Sequence, residues 1–395
     1  QTASQDKHMQ AFEYFVPTEI VFGAGSTEKL PELLKKRGLS HVLVVYGGAS
    51  AKKSGLLDRV FRLLDKADVR YRSLGGVQPN EGVQLALESG AELILAVGGG
   101  SVIDTCKAIA HGAANPGTDI WEFWKRRAPL TKSMPVGVVL TIPAAGSETS
   151  DSAVLTNAEA GEKRGLNTPF NRPAFAILDP LLAATLPVHQ VACGVSDILM
   201  HTLDRYFNPV TDNALTDELA EALLRVVLEY GPAAVRDAHD EKAMSEIMWA
   251  GSLSHNGLTG LGGKKDFATH QLGHALSEKF DVYHGDSLTA VWSSWARSVM
   301  DESPARFARF ARNVWHVEEA DDTAAALAGI AKQESFFRSI GMPVCLGELS
   351  CGKQDEAGLA DLASRCSYGK TRTIGTFRVL DYEKILAIYR RANEA

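Results

Sequence analysis

The hydrophobic periodicity of this chain changes once, near Pro187, and that change limits what it can fold into. Before it, short apolar runs alternate with stretches of helical period. "HVLVVYGG" (41–48), "DVRYRSL" (68–74), "AELILAVGGG" (91–100), "MPVGVVLTIP" (134–143) and "AFAILDP" (174–180) read as strands. "AKKSGLLDRVFRLLDKA" (51–67), "EGVQLALESG" (81–90) and "SVIDTCKAIAHGAA" (101–114) read as helices. Such alternation predicts βαβ units, a mostly parallel sheet with helices on both faces. After Pro187 the segments 216–231, 241–255, 304–315, 322–341 and 381–394 carry apolar residues three and four apart, the helical stripe. Gly231 and Gly341 stand where helix C-caps are expected. A chain of 395 residues is too long for one ordinary core. The expected organisation is an α/β domain over residues 9–188 and an all-α domain over 189–395.

Bulk properties remove several function classes. The net charge of −7 without a basic block argues against nucleic acid as a partner. No apolar run is long enough to span a bilayer, so no membrane role is expected. Residues 1–8 are polar, precede Met9, and read as a leader or remnant outside the fold. Five scattered cysteines (Cys106, Cys193, Cys345, Cys351, Cys366) form no C-x-x-C pair, which suits reduced thiols in a cytoplasm.

Two glycine turns follow strands. In "AVGGGSVIDTCK", Gly98, Gly99 and Gly100 lead into a helix for which Ser101 is placed as N-cap. Glycines let backbone amides approach a ligand, and a helix N-terminus adds partial positive charge, so the turn suits a pyrophosphate. A tight strand-to-helix turn with no ligand is the alternative. Asp104 and Lys107, one helical turn apart, are expected as a surface pair. In "VYGGASAKK" (45–53), Gly47, Gly48 and Ser50 precede Lys52 and Lys53. A carboxylate at such a strand end would bind the free ribose hydroxyls of NAD. Its absence leaves room for a 2′-phosphate, or for a plain solvated helix start.

The second half holds two polar i,i+4 pairs inside apolar helices: Asp197 with His201, and His270 with His274. His284 follows after a short break. Buried polar groups need partners, so the set reads either as a metal site or as hydrogen-bonded core polarity. A carboxylate and imidazoles without thiolate suit Fe(II), Zn(II), Mn(II) or Co(II), not Ca(II) or a structural zinc. His41, His111, His189, His239, His255 and His316 stand alone and read as ordinary.

Taken in order, "GGGS" with Asp104 and Lys107, "GSE" (146–148), "ILDP" (177–180), the Asp197–His201 pair and "H-x-x-x-H…HG" (270–285) resemble the iron-containing (group III) alcohol dehydrogenases. The likeness runs from "FGAGS" (22–26) to "TIG" (373–375). It is nearest to the NADPH-dependent butanol dehydrogenase and broad-range aldehyde reductase branch. The resemblance implies a cleft active site between the two domains. It implies metal ligands Asp197, His201, His270 and His284, and a non-ligand His274 that faces the nicotinamide and relays a proton. Asp104 would lie near the nicotinamide end. Gly98, Gly99, Gly100 and Ser101 would hold the pyrophosphate. Thr141, Ser147 and Lys163 would line the cofactor site, with Gly47, Gly48 and Ser50 at the 2′-phosphate of NADP(H). One divalent metal is implied, Fe(II) first and Zn(II) second, with a small aldehyde or alcohol as substrate and a homodimer as assembly. Departures are a shorter segment after Asn80, Tyr283 before the last ligand, and "LTIPAAGSE" for a threonine-rich loop. A polyol dehydrogenase or sugar-phosphate cyclase on the same plan would want a more polar cleft than Trp121, Trp124, Trp292 and Trp295 suggest. A nucleotide-responsive scaffold with a dead site is disfavoured by five intact candidate ligands.

Overall fold

The structure, a computed structural model, describes residues 7–395. Most of the expected leader therefore lies outside the described residues. Lys7 and His8, its last two residues, are pinned: Lys7 O accepts from Thr211 N at 2.8 Å, and His8 Nδ1 lies 2.7 Å from Asp212 Oδ2.

The chain forms two compact units, one of residues 15–186 with 237–256, the other of residues up to 14 with 187–236 and 257–395. The change of unit at Pro187 falls where the periodicity changes. Residues 237–256, assigned by sequence to the helical half, belong instead to the unit that contains the sheet, and residues 9–14 belong to the helical unit.

In the first unit, strands β1 (Glu19–Phe22), β2 (His41–Tyr46), β3 (Arg70–Gly75), β4 (Leu93–Gly98), β5 (Val136–Leu140) and β8 (Phe175–Leu178) form one parallel sheet in the order β1-β8-β5-β4-β2-β3. A separate antiparallel hairpin joins β6 (Ser152–Asn157) to β7 (Glu162–Asn167). Helices α1 (Leu30–Lys36), α2 (Ser50–Lys53), α3 (Leu56–Lys66), α4 (Pro79–Ser89), α5 (Gly100–Ala114) and α6 (Ile120–Trp124) connect the strands. β2, β4 and β5 are buried along nearly their whole length, as central parallel strands covered on both faces must be. The chain leaves β2 toward β3 on one side and returns to β4 on the other. That reversal is a topological switch point, and ligands of such sheets bind in the crevice outside the carboxyl ends of the strands flanking it. Both glycine turns stand there, Gly47-Gly48 after β2 and Gly98–Gly100 at the end of β4.

The second unit contains α7 (Val188–Tyr206) and α8 (Ala214–Arg236); α9 (Glu241–His255) belongs with the sheet. α10 (Ala268–Phe280), α11 (His284–Val299), α12 (Pro304–Trp315), α13 (Asp322–Ser339), α14 (Glu356–Cys366) and α15 (Tyr382–Glu394) complete it. α8 does not stop at Gly231 but runs through Pro232 to Arg236. The glycine serves packing: a Cβ there would lie 2.8 Å from Val195 Cγ1 on α7. Arg306 closes the C-terminal end of α7. Its Nη2 donates to Tyr206 O, and the guanidinium takes both oxygens of Asp217 at 2.7 and 2.6 Å, a buried bidentate pair. Among the described residues no helix is long and apolar enough to cross a membrane.

His111, on α5, shows why a buried imidazole stays neutral. Asn171 commits its amide nitrogen to the carbonyls of Asp151 and Leu166, so its oxygen must accept from His111 Nε2 at 2.7 Å. His111 Nδ1 then accepts from the Ser133 hydroxyl at 2.7 Å. Burial holds the pKa down at about 4. The unfolded chain takes up this proton near pH ~6.5, so stability is complete above that pH and drains away as pH falls toward 4. Denaturation at pH 7 and pH 5 should show a loss attributable to this group of about 2 kcal/mol. The pH-dependent loss should be smaller by that amount in His111→Gln; an equal loss in both proteins would refute the assignment.

Candidate active site

Asp197 and His201 project from one face of α7, a helix buried from Gly194 to its end. α10 brings His270, and the first residue of α11 is His284. The three rings converge on a single atom, Asp197 Oδ1. His201 Nδ1 lies 3.3 Å from it, His284 Nε2 3.4 Å and His270 Nε2 3.5 Å. Neither Asp197 Oδ1 nor His270 Nε2 makes a hydrogen bond, although both are buried. Asp197 and His270 are 3% exposed and His201 4%, whereas the His284 side chain is a third exposed. Donor atoms of Asp197, His201 and His270 sit close enough together to share a cation.

Glycines let these helices meet. A Cβ on Gly285 would stand 2.8 Å from the Cα of Cys193 on α7, and one on Gly273 2.8 Å from Ser287 Oγ on α11. Both ends of α10 turn through left-handed conformations at non-glycine residues, Phe267 (φ 56°) and Asp281 (φ 52°). Such strain persists only where surrounding structure imposes it. Here Asp266 accepts the amides of Ala268, Thr376 and Phe377, and the Arg205 guanidinium stacks 4.8 Å from the Phe267 ring.

Asp204 completes the site. Its Oδ2 lies 2.6 Å from His270 Nδ1, which leaves Nε2 as the atom aimed at Asp197. This residue escaped sequence reasoning, though its signal was present: Asp197, His201 and Asp204 follow i, i+4, i+7 on α7. Burial alone would raise the Asp197 pKa, but His201, His284 and His270 hold it well below the usual carboxylate range. Burial, outweighing Asp197, keeps His201 well below the usual imidazole value. Burial also opposes protonation of His270, yet Asp197 and Asp204 lift it to about 9. A buried anion faced by three imidazoles calls for a positive centre between them. One oxygen donor and three nitrogens without thiolate fit a divalent transition metal. His274, one turn beyond His270, is half-buried, with its ring 6.3 Å from His270 and 5.6 Å from His284.

The sheet unit presents the other residues. Gly99, not Ser101, is the residue before α5, and Ser101 is exposed within the first turn. The glycines are required sterically: a Cβ on Gly98 would lie 2.7 Å from Val102, and one on Gly100 2.9 Å from Ala145. A Cβ on Gly47 would also meet Val102, at 3.3 Å, so the two turns close over one side chain. Gly48 has open space around it, and Ser50 opens the short α2. Thr141 N donates to Gly98 O at 3.1 Å, fixing the strand end beside the turn.

Asp104 and Lys107 are not a surface pair. Lys107 is fully buried, and its ammonium donates to Ser147 O, Ser147 Oγ and Ser152 O, each at 2.8 Å. Burial, against the pull of Asp104, lowers it to about 8. Asp104 accepts from Ser147 Oγ at 2.5 Å and Val154 N at 2.9 Å, and burial raises its pKa. Lys107 thus ties down the loop that carries Ser147, and Ser147 orients Asp104. Asp104, Ser101 and Lys163 of β7 face a cavity of about 320 Å³ that Trp121 also lines. Trp124, Trp292 and Trp295, considered from sequence as flanking a substrate, are core residues.

Comparison with known proteins agrees along nearly the whole chain. Residues 17–180 match the family described as iron-containing alcohol dehydrogenase, and residues 190–393 match the C-terminal part of the Fe-containing alcohol dehydrogenase family. A probable NADH-dependent butanol dehydrogenase 1 of Bacillus subtilis is 38% identical, over 96% of this chain and 99% of its own. The NADPH-dependent aldehyde reductase YqhD of Escherichia coli is 36% identical, over 86% of this chain and 89% of its own. The crystal structure of NADH-dependent butanol dehydrogenase A from Thermotoga maritima superposes with a TM-score of 0.92 at 31% identity, covering 98% and 99% of the two chains. With two half-chain matches in register and relatives alike from end to end, this chain belongs to the iron-containing alcohol dehydrogenase family.

Proposed function

We propose that this protein is a metal-dependent oxidoreductase that interconverts aldehydes and primary alcohols by hydride transfer, working as an aldehyde reductase of the butanol dehydrogenase type. The observation that carries the reading is the convergence of three imidazole nitrogens on Asp197 Oδ1 in a buried, hydrogen-bond-deficient centre. Asp197, His201, His270 and His284 are its metal ligands, for Fe(II) first and Zn(II) second. When bound, the metal supplies Lewis acidity toward the substrate oxygen and a nicotinamide cofactor supplies the hydride. Asp204 holds the His270 tautomer so that Nε2 points inward. His274 carries the proton between the reacting oxygen and solvent, a task suited to an imidazole, whose two ring nitrogens can accept and donate. Gly98–Gly100 and Ser101 hold the pyrophosphate, Thr141, Ser147 and Lys163 line the cofactor site, and Asp104 lies at the nicotinamide end. A homodimer is the proposed assembly.

NADP(H) is the proposed cofactor. Relatives are named for either nicotinamide, one NADH-dependent and another NADPH-dependent, so the support comes from this chain's own residues. At the end of β2 there is no carboxylate to repel a 2′-phosphate; Gly48 leaves space, and Ser50, Lys52 and Lys53 follow. Lys52 now rests 5.2 Å from the Tyr46 ring, within swing of the same turn.

Oxidation of NADPH with butanal, with and without a chelator, tests the activity; turnover indifferent to thorough metal removal would refute it. His270→Ala and Asp197→Asn should lose metal and turnover together while circular dichroism stays native. Asp204→Asn should weaken metal about 10–100-fold. His274→Ala should keep the metal, slow turnover and shift the pH profile; loss of metal there would exchange its role with that of His270.

Cofactor choice is read from catalytic efficiency with the two nicotinamides. Efficiency should be higher with NADPH, and Gly48→Asp should raise the KM for NADPH much more than that for NADH. A clear preference of the unaltered enzyme for NADH would make the glycine pair a turn and nothing more.

A further inference from the structure

Ligand-type side chains on α7 do not end at Asp197. Counting back by fours along the same stripe gives Cys193 and then His189. From α11, two residues past His284, Asp286 reaches this upper part of the stripe. Its Oδ2 lies 3.0 Å from His189 Nε2 and its Oδ1 3.8 Å from Cys193 Sγ. The three donors lie within 4.8 Å of one another. His189, read from sequence as solitary, is thus one of three convergent groups.

We propose that His189, Cys193 and Asp286 form a second divalent-metal site, selective for a thiophilic cation of the Zn(II) class and separate from the Asp197 centre. Three features support it. One oxygen of Asp286 stands 3.0 Å from the imidazole and the other 3.8 Å from the sulfur, near the roughly 3.3–3.7 Å that metal–donor distances of about 2.0–2.3 Å at tetrahedral angles require. A thiolate and a carboxylate together balance a doubly charged ion, and the thiolate with an imidazole favours Zn(II), Co(II) or Cd(II) over Mg(II) or Ca(II). A cavity of about 380 Å³, lined by His189, Asp286, Tyr283 and Glu348, adjoins two of the three donors, on the side from which an ion and its fourth ligand, a water, would enter. Binding exchanges the thiol proton for the cation: the S–H bond breaks, a sulfur–metal bond forms, and one proton passes to solvent. A thiol nucleophile is the weaker reading, because the hydrogen bond of Cys193 goes to Asp286 and not to an imidazole base.

The two centres differ in one spectroscopic respect. The Asp197 centre has no thiolate, so a cysteinate-to-cobalt charge-transfer band reports only the proposed site. Stripped full-length protein titrated with Co(II) should take up two equivalents and develop that band. Cys193→Ser should bind one equivalent without the band, and Asp286→Asn, as a second variant in case the first misfolds, should do the same. His270→Ala should keep the band and lose the other equivalent, so the outcome does not depend on the catalytic reading. Absence of the band in the unaltered protein, or a band that survives Cys193→Ser, would overturn the proposal; a single equivalent that carries the band would count against the Asp197 centre instead.

Discussion

The helical unit is organised around one buried carboxylate oxygen. Asp197 Oδ1 has three ring nitrogens within 3.5 Å and no hydrogen bond. Burying such a group is costly unless a charge-compensating partner sits among the donors. The neighbouring architecture serves that arrangement: α7 is buried along most of its length, α10 is held in strained turns at both ends, and Asp204 fixes the ring of His270. Glycines at 273 and 285 let α10 and α11 approach their neighbours closely enough for the rings to meet.

The sheet unit answers a different constraint, the reversal of strand order at β2 and β4. Two glycine turns meet there over the Val102 side chain. Glycine at 98 and 100 is demanded by steric contact with Val102 and Ala145, whether or not a ligand is bound. What suits these turns to a ligand is therefore their location rather than the glycines themselves: they stand outside the carboxyl ends of strands flanking a switch point. In the same unit, Lys107 ties down the loop that presents Ser147 to Asp104. A lysine read from sequence as a surface partner is an interior strut, because its ammonium finds a buried cradle of carbonyls and hydroxyls.

Four features of the fold depart from the local signal of the sequence or leave little of it. Ser101 was expected to cap α5, but Gly99 takes that position because the strand runs directly into the helix. Gly231 was expected to end α8, yet packing against Val195 is what calls for a glycine there. β1 and the β6–β7 hairpin are short or half-exposed, so their periodicity is weak. α9 looks like its helical neighbours in sequence but belongs to the sheet-bearing unit, where its Ser252 meets Glu148 and Thr149 of the loop before β6. At Gly231 and α9 a contact between distant residues outweighed the local signal.

The sequence by itself determined the alternation of strands and helices, the change of character at Pro187, the glycine turns, and the i,i+4 placement of Asp197 with His201, because these depend on residues a turn or a strand apart. Only the tertiary structure decided that His270 and His284 meet Asp197 Oδ1, that Asp204 orients one of them, that Lys107 is buried, and that Asp286 joins His189 and Cys193. Those meetings join segments tens of residues apart. They follow from how helices pack, and local periodicity carries no record of which helix will be whose neighbour.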